Sequence, residues 1–327
     1  MFFVSFSKIL EKIIHNKMTN FLDKFNILSA TQFGFRKNMS TETTLLKFID
    51  FIHDGLNKKE NVGAIYMDLS KAFDVMNHKI LEEKLEHYGF RGSFLKFIMS
   101  FLKDRKYFVN VNGRNSDIET LNIGVPQGST LGPLLFLIYI NDMKNCSILL
   151  KFLQFADDTT LLFSCKDINQ LNRVLESESE KVIDWLSANK LIINLKKTCS
   201  MLFSFKRGSP NLELNVKGVL LENKNEVKFL GVNIDNKLNW KSHISFLRSK
   251  ISKSIAISKL LKFTYPTKIL RTIYMSLIHS HLNYCNLIWG AAENSNLMPL
   301  FKLQKKAVRI INISHYLDHT PPIFKSL

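Results

Sequence analysis

Residues 148–163, ILLKFLQF-Ala156-Asp157-Asp158-TTLLF, decide how the chain is read. Two apolar runs flank an acidic turn, the pattern of a β-hairpin. Acidic residues are common in turns because Asx geometry suits them. Here both flanks are strongly apolar, so the turn lies at the end of two buried strands. A second apolar run, AIYMDL, also ends on a carboxylate, Asp68. Adjacent strands of one sheet would set Asp68 beside Asp157. Like charges at ~4 Å repel by ~4 kcal/mol at an effective dielectric near 20. Such a cluster calls for a cation, and carboxylates without His or Cys suit hard Mg²⁺. Two such ions ~3.5–4 Å apart are the device for in-line phosphoryl displacement. The chemistry expected is that of a nucleotidyl transferase or a nuclease.

Outward from this hairpin, helices and strands alternate irregularly. Residues 9–25 read as a helix from the recurrence of Ile9, Leu10, Ile13, Ile14, Phe21, Leu22 and Phe25. A second helix begins near Thr41 with Ser40 as its N-cap. Residues 61–70 read as a buried strand, and 78–88 and 93–103 as helices. Asn112-Gly113 marks a hairpin between alternating segments. GVPQGSTLGP (124–133) is a loop opening an apolar helix. A polar helix over 167–188 leads to strands near 200–205, 212–221 and 227–234. From Trp240 the pattern is helical to the end.

Composition bounds the possibilities. The 327 residues are 46% hydrophobic with 13 Gly and 7 Pro, which excludes collagen-like and disordered classes. Cys146, Cys165, Cys199 and Cys285 form no C-x-x-C pair, so neither a thiolate zinc site nor a disulfide framework is expected, and a reducing compartment fits. The longest apolar run is far short of the ~20 residues that span a bilayer, so no membrane role is expected. The formal charge is +17, and +11 of it falls in 241–327, where 13 Lys/Arg meet only Glu293 and Asp318. That excess points to a polyanionic partner.

Six motifs stand in collinear order: QFGFRKNMST (32–41), YMDLSKAFDVMNH (66–78), GVPQGSTLGPLLF (124–136), FADDT (155–159), NLKKTCSMLF (194–203) and VKFLGVNIDNKLNW (227–240). Together they resemble the reverse transcriptase of non-LTR (LINE-like, jockey-type) retrotransposons. The resemblance implies an α+β fold, a right-hand polymerase with an antiparallel-sheet palm, partial fingers and a helical thumb. Partial fingers would span 1–61, a palm with interleaved fingers elements 62–240, and a basic helical thumb or connection 241–327. It implies RNA-directed DNA synthesis from an RNA template, a DNA primer and dNTPs, with two Mg²⁺ ions.

Carried over by motif, Asp68, Asp157 and Asp158 would be the catalytic metal-binding carboxylates. Phe73 would sense the sugar, because an aromatic ring under the ribose leaves no space for a 2′-OH. Backbone amides of Leu69 to Ala72 would face the triphosphate, as in anion nests. Gln127 and Gly128 would lie beneath the incoming nucleotide and template base. Arg36 would contact the triphosphate with its bidentate guanidinium. Lys197 would protonate the leaving pyrophosphate, and Phe229-Leu230-Gly231 would form a primer-positioning hairpin.

The family pattern carries more fingers sequence before SKILEKI, including an Arg-Pro-Ile signature, and neither an endonuclease domain nor a zinc knuckle is read here. The expectation is a fragment of an element's second reading frame or a decayed genomic copy. Two alternatives follow: a catalytically silent nucleic-acid-binding remnant, and an RNA-templated RNA polymerase. The latter usually carries a small or polar residue at the position of Phe73 and a GDD-type turn. No basic run marks nuclear import, and nuclear or cytoplasmic action is implied only by the resemblance.

Overall fold

A computed structural model describes residues 2–103, 105–205, 212–315 and 318–320. In chain order these form α1 (Phe2–Lys24), α2 (Thr41–Asn57), β1 (Asn61–Met67), β2 (Leu69–Ser70), α3 (His78–His87) and α4 (Gly92–Leu102). Then come β3 (Arg105–Tyr107), β4 (Asn110–Val111), β5 (Arg114–Asn115), β6 (Glu119–Leu121), α5 (Leu131–Tyr139), β7 (Lys151–Phe155), β8 (Asp158–Cys165) and α6 (Ile168–Ala188). The remainder is β9 (Ile192–Ile193), β10 (Cys199–Phe203), β11 (Asn215–Val216), β12 (Val219–Leu220), β13 (Glu222–Asn223), β14 (Glu226–Phe229), β15 (Val232–Asp235), α7 (Lys241–Leu261), α8 (Thr267–Tyr274), α9 (Ser280–Asn283), α10 (Asn286–Trp289) and α11 (Asn294–Ile311). Helix was expected to the end of the chain; residues 321–327 lie outside the described ones.

The local signals explain many of these boundaries. Ser40 caps α2: its Oγ accepts from the Thr43 N–H at 3.1 Å, and Thr43 Oγ1 accepts from the Ser40 N–H at 2.8 Å, a reciprocal capping box. Asp167 likewise accepts from the N–H groups of Asn169 and Gln170 at the start of α6. Asn112 and Gly113 both have positive φ, +50° and +80°, as the tight turn between β4 and β5 requires. One expected strand is divided. Residues 212–221 hold a small hairpin, β11 with β12, because Lys217 (φ +50°) and Gly218 (φ +78°) turn the chain in the middle.

The chain divides into two compact units, Met1–Thr44 with Phe51–Lys224, and Leu45–Asp50 with Asn225–Leu327. The first is built on a five-stranded sheet, order β13-β10-β1-β8-β7. Its pairs are antiparallel except β10 with β13, which run parallel, so the sheet expected to be antiparallel is mixed at one edge. β1 is buried along its whole length. Helix α6 packs so closely on it that a Cβ on Gly63 would stand 2.4 Å from Leu175 Cδ1. α5 is buried at every position but Pro133 and fills the core beside α1 and α3.

The second unit joins the β14–β15 hairpin to helices α7 to α11, with α7 packed along α11. Among the described residues, no helix is long and apolar enough to cross a membrane.

Candidate active site

The carboxylates are brought together by strand register. In the β1–β8 ladder Met67 pairs with Thr159, so Asp68, the next residue, stands level with Asp158. Phe155 pairs with Asp158 and closes the β7–β8 hairpin, leaving Ala156 and Asp157 as the turn. Asp158 therefore begins β8 rather than belonging to the turn. The backbone of Asp68 is fixed on both sides: its N–H donates to Thr198 Oγ1 at 3.3 Å, and its C=O accepts from the Asn194 N–H at 2.8 Å.

The three acids act on one another electrostatically. Loss of hydration raises the Asp158 carboxyl above its ordinary pKa, and the negative charges of Asp157 and Asp68 raise it further. The residue as a whole keeps contact with solvent, so this shift is no measure of stability. Among the described residues, no three His, Cys, Asp or Glu side chains are drawn together closely enough to enclose one ion. The donor chemistry nonetheless fits a hard divalent cation: the groups are all carboxylates, and one is already penalised by the charge of the other two.

Phe73 lies on the short segment after β2. Its ring packs on Phe136 of α5, centroids 4.4 Å apart, and meets Phe35 edge-on at 6.5 Å. The 124–130 loop is sewn to the same segment: the Val125 N–H donates to Phe73 O at 3.0 Å, and the Gly124 N–H to Met76 O at 2.7 Å. Gly124 has φ +75°, and a Cβ there would stand 2.5 Å from Asp74 O, so glycine is needed. Gln127 Nε2 donates to Asp74 Oδ1 at 3.0 Å, and Gly128 (φ +74°) faces open space. Register and backbone bonding thus bring Phe73, Gln127 and Gly128 to one locality. Leu69 is buried and pairs with Ile193. Lys197 is exposed, next to Thr198, whose hydroxyl touches the Asp68 backbone.

Arg36 is half-buried, and its Nη1 donates to two carbonyls of its own loop, Ser29 O at 2.7 Å and Gln32 O at 3.2 Å. Its guanidinium therefore closes that loop. In the second unit, Phe229 packs on Phe48 (5.4 Å), while Leu230 and Gly231, φ +45° and +83°, form the tight turn between β14 and β15. Tyr284 Oη donates to Leu230 O at 2.7 Å and braces that turn.

Several residues around the site carry no motif role in the sequence reading. Lys8 Nζ donates to Gly128 O, and the buried Glu11 accepts from the Thr130 N–H at 2.6 Å, so α1 holds the 124–130 loop. Asn194 and Thr198 secure Asp68. Gln32 and Gly34 bear on the acidic turn itself. Gln32 and Gly34 stand inside QFGFR, yet their partners are backbone atoms more than a hundred residues away, which leave no mark on a single sequence.

Comparison with known proteins places the chain in a family. A family profile described as reverse transcriptase (RNA-dependent DNA polymerase) matches residues 3–234. The chain is 29% identical over 336 residues to the RNA-directed DNA polymerase from mobile element jockey of Drosophila melanogaster, covering 99% of this chain and 36% of that one. It is 28% identical over 324 residues to the probable RNA-directed DNA polymerase from transposon BS of the same species, covering 95% and 36%. The chain thus spans about a third of the length of these relatives. Among solved structures, telomerase from Candida tropicalis in complex with a TWJ fragment of telomeric RNA superposes with a TM-score of 0.52 at 14% identity, covering 99% of this chain and 57% of that one. That likeness speaks for the fold, the polymerase type of α+β architecture. With a profile match across well over half its length, the chain belongs to the reverse transcriptase (RNA-dependent DNA polymerase) family.

Proposed function

We propose that this chain is the RNA-directed DNA polymerase portion of a non-LTR mobile element, extending a DNA primer on an RNA template with dNTPs. The observation that carries the reading is the register that sets Asp68 level with Asp158 beside the Ala156-Asp157 turn. Asp68, Asp157 and Asp158 would hold two Mg²⁺ ions. When bound, such ions supply charge neutralisation at the transferring phosphate and lower the pKa of the attacking hydroxyl. The chain's own residues would do the rest. Phe73, supported from behind by Phe136, would press on the sugar and exclude a 2′-OH. Successive amides after Leu69 would face the triphosphate. Gln127 and Gly128 would support the nascent base pair, Gly128 through a backbone with no side chain above it. Arg36 and Lys197 would add positive charge toward the triphosphate and the leaving pyrophosphate.

We further assign partial fingers to 1–61, palm to 62–240 and thumb to 241–327. Within the thumb, a groove of about 820 Å³ between α7 and α11 is lined by Arg248, Lys302, Lys305, Lys306 and Arg309. Five cations on one groove suit the phosphate backbone of a template–primer duplex, with little sequence preference. The Phe229-Leu230-Gly231 turn would position the primer strand.

The deciding test is primer extension on an RNA template with dNTPs and Mg²⁺. Incorporation by the wild-type chain and its loss in Asp157→Asn support the reading; unchanged extension by Asp157→Asn overturns the site assignment. Salt-dependent binding of template–primer with no incorporation at any enzyme concentration would favour the silent nucleic-acid-binding alternative, which the basic groove accommodates equally.

A further inference from the structure

The acidic turn has an unusual backbone. Ala156 has φ +57°, the left-handed region that a two-residue hairpin demands but that an alanine resists. Glycine is the usual residue there, and none is present. Something outside the hairpin must hold this conformation.

The loop 31–34 supplies it. β7 is an edge strand of the sheet, and this loop runs along its free side. The Gln154 N–H donates to Thr31 O at 2.9 Å, the Phe33 N–H to Gln154 O at 2.8 Å, and Thr31 Oγ1 to Gln154 Oε1 at 3.0 Å. Past the end of β7 the side chain of Gln32 takes over. It is 2% exposed. Its Oε1 accepts from the Ala156 N–H at 3.0 Å and from the Gly34 N–H at 2.8 Å, and its Nε2 donates to Ala156 O at 3.4 Å. One amide thus grips both polar groups of the strained residue. Gly34 completes the contact, for a Cβ there would stand 2.3 Å from the Ala156 nitrogen. Arg36 closes the loop through Ser29 O and Gln32 O.

We propose that Gln32 and Gly34 form a clasp that positions the Ala156-Asp157 turn, so that Asp157 and Asp158 reach a divalent cation together with Asp68. Gln32 is a positioning residue: it touches the backbone next to a ligand and no reacting atom. The inference rests on the reading of the three carboxylates as metal ligands. Outer partners that orient ligands typically matter by 10–100-fold in metal affinity.

The test is a titration of the full chain with Mn²⁺ alone, free ion being read by electron paramagnetic resonance, with thermal melts to establish folding. Gln32→Met keeps the volume and loses all three bonds; Mn²⁺ binding is expected to weaken about tenfold or more. Gln32→Asn, a gentler change that keeps an amide one methylene shorter, should weaken it several-fold and guards against misfolding of the first variant. Gln32→Glu retains an acceptor for both N–H groups but sets an oxygen against Ala156 O in place of the Nε2 donor, so its affinity should fall between those of Gln32→Met and wild type. Thr31→Val, which loosens the loop one residue away but spares the amide, should stay within about twofold. A folded Gln32→Met or Gln32→Asn with wild-type Mn²⁺ affinity overturns the clasp, as does a Thr31→Val loss equal to that of Gln32→Met. The polymerase reading fails separately, by absence of dNTP incorporation in the wild-type chain, and leaves the ion-binding comparison intact.

Discussion

Phe73 lies against Phe136 with ring centroids 4.4 Å and ring planes 33° apart. Phe136 is fully buried in α5, so it fixes how far the Phe73 ring can retreat. A ring that cannot retreat is a ring that can exclude.

Phe73→Ala is expected to relax discrimination against ribonucleotides by about 10–100-fold, measured as the ratio of kcat/KM for dNTP and rNTP. Phe136→Ala should relax it less while costing about 3–5 kcal/mol of stability, since it opens a cavity in the core. A wild-type chain that already accepts both sugars equally would remove the exclusion role from Phe73.

Glu11 sits 6% exposed with its carboxylate on the Thr130 N–H, at the N-terminus of α5. A carboxylate there both caps the helix and complements its dipole. Glu11→Ala should cost about 1–2 kcal/mol in urea unfolding. Because α1 and the 124–130 loop are linked through this contact, KM for dNTP should rise more than KM for primer. Equal changes in both would assign Glu11 to stability alone.

His243 is 1% exposed, and its Nδ1 accepts from the Asn233 N–H at 3.3 Å, which requires the neutral ring. Burial pushes its pKa from 6.5 down to about 4. Between those values the unfolded chain binds the extra proton and the folded chain does not. Stability is therefore fully present above about pH 6.5 and is lost as the pH falls toward 4, by about 3 kcal/mol in all. His243→Gln should flatten this part of a Tm-against-pH curve; a slope unchanged by the substitution would place the titration elsewhere.

Lys302 and Lys306 line the groove between α7 and α11. Lys302→Glu with Lys306→Glu should weaken template–primer binding across sequences and flatten the log–log salt slope by about 2. The Tm should move little, as these are exposed charges on a helix surface. An unaltered slope would show that the duplex lies on another face.

Much of this protein was written in its sequence, for reasons of local chemistry. The Ser40 cap, the Asn112-Gly113 turn and the apolar runs flanking the acidic hairpin each follow from neighbours a few residues apart. Motif order pointed to the family that the profile match then supplied. Legibility failed where geometry was not local. Asp158 looked like a turn residue but starts a strand, because the hairpin closes on Phe155. Lys217 and Gly218 folded an expected strand into a hairpin of its own.

What the amino-acid order carried alone was a residue pattern: carboxylates at the ends of apolar strands, an aromatic ring five residues after the first of them, and positive charge gathered toward the C-terminus. What only the folded chain decided was how those groups are held. Asp68 meets Asp158 through cross-strand register, and Gln32 grips Ala156 across 124 positions of sequence. Such contacts are made to peptide groups that every residue possesses, so no residue type announces them. They exist because packing an edge strand leaves backbone donors and acceptors that a buried amide is placed to satisfy.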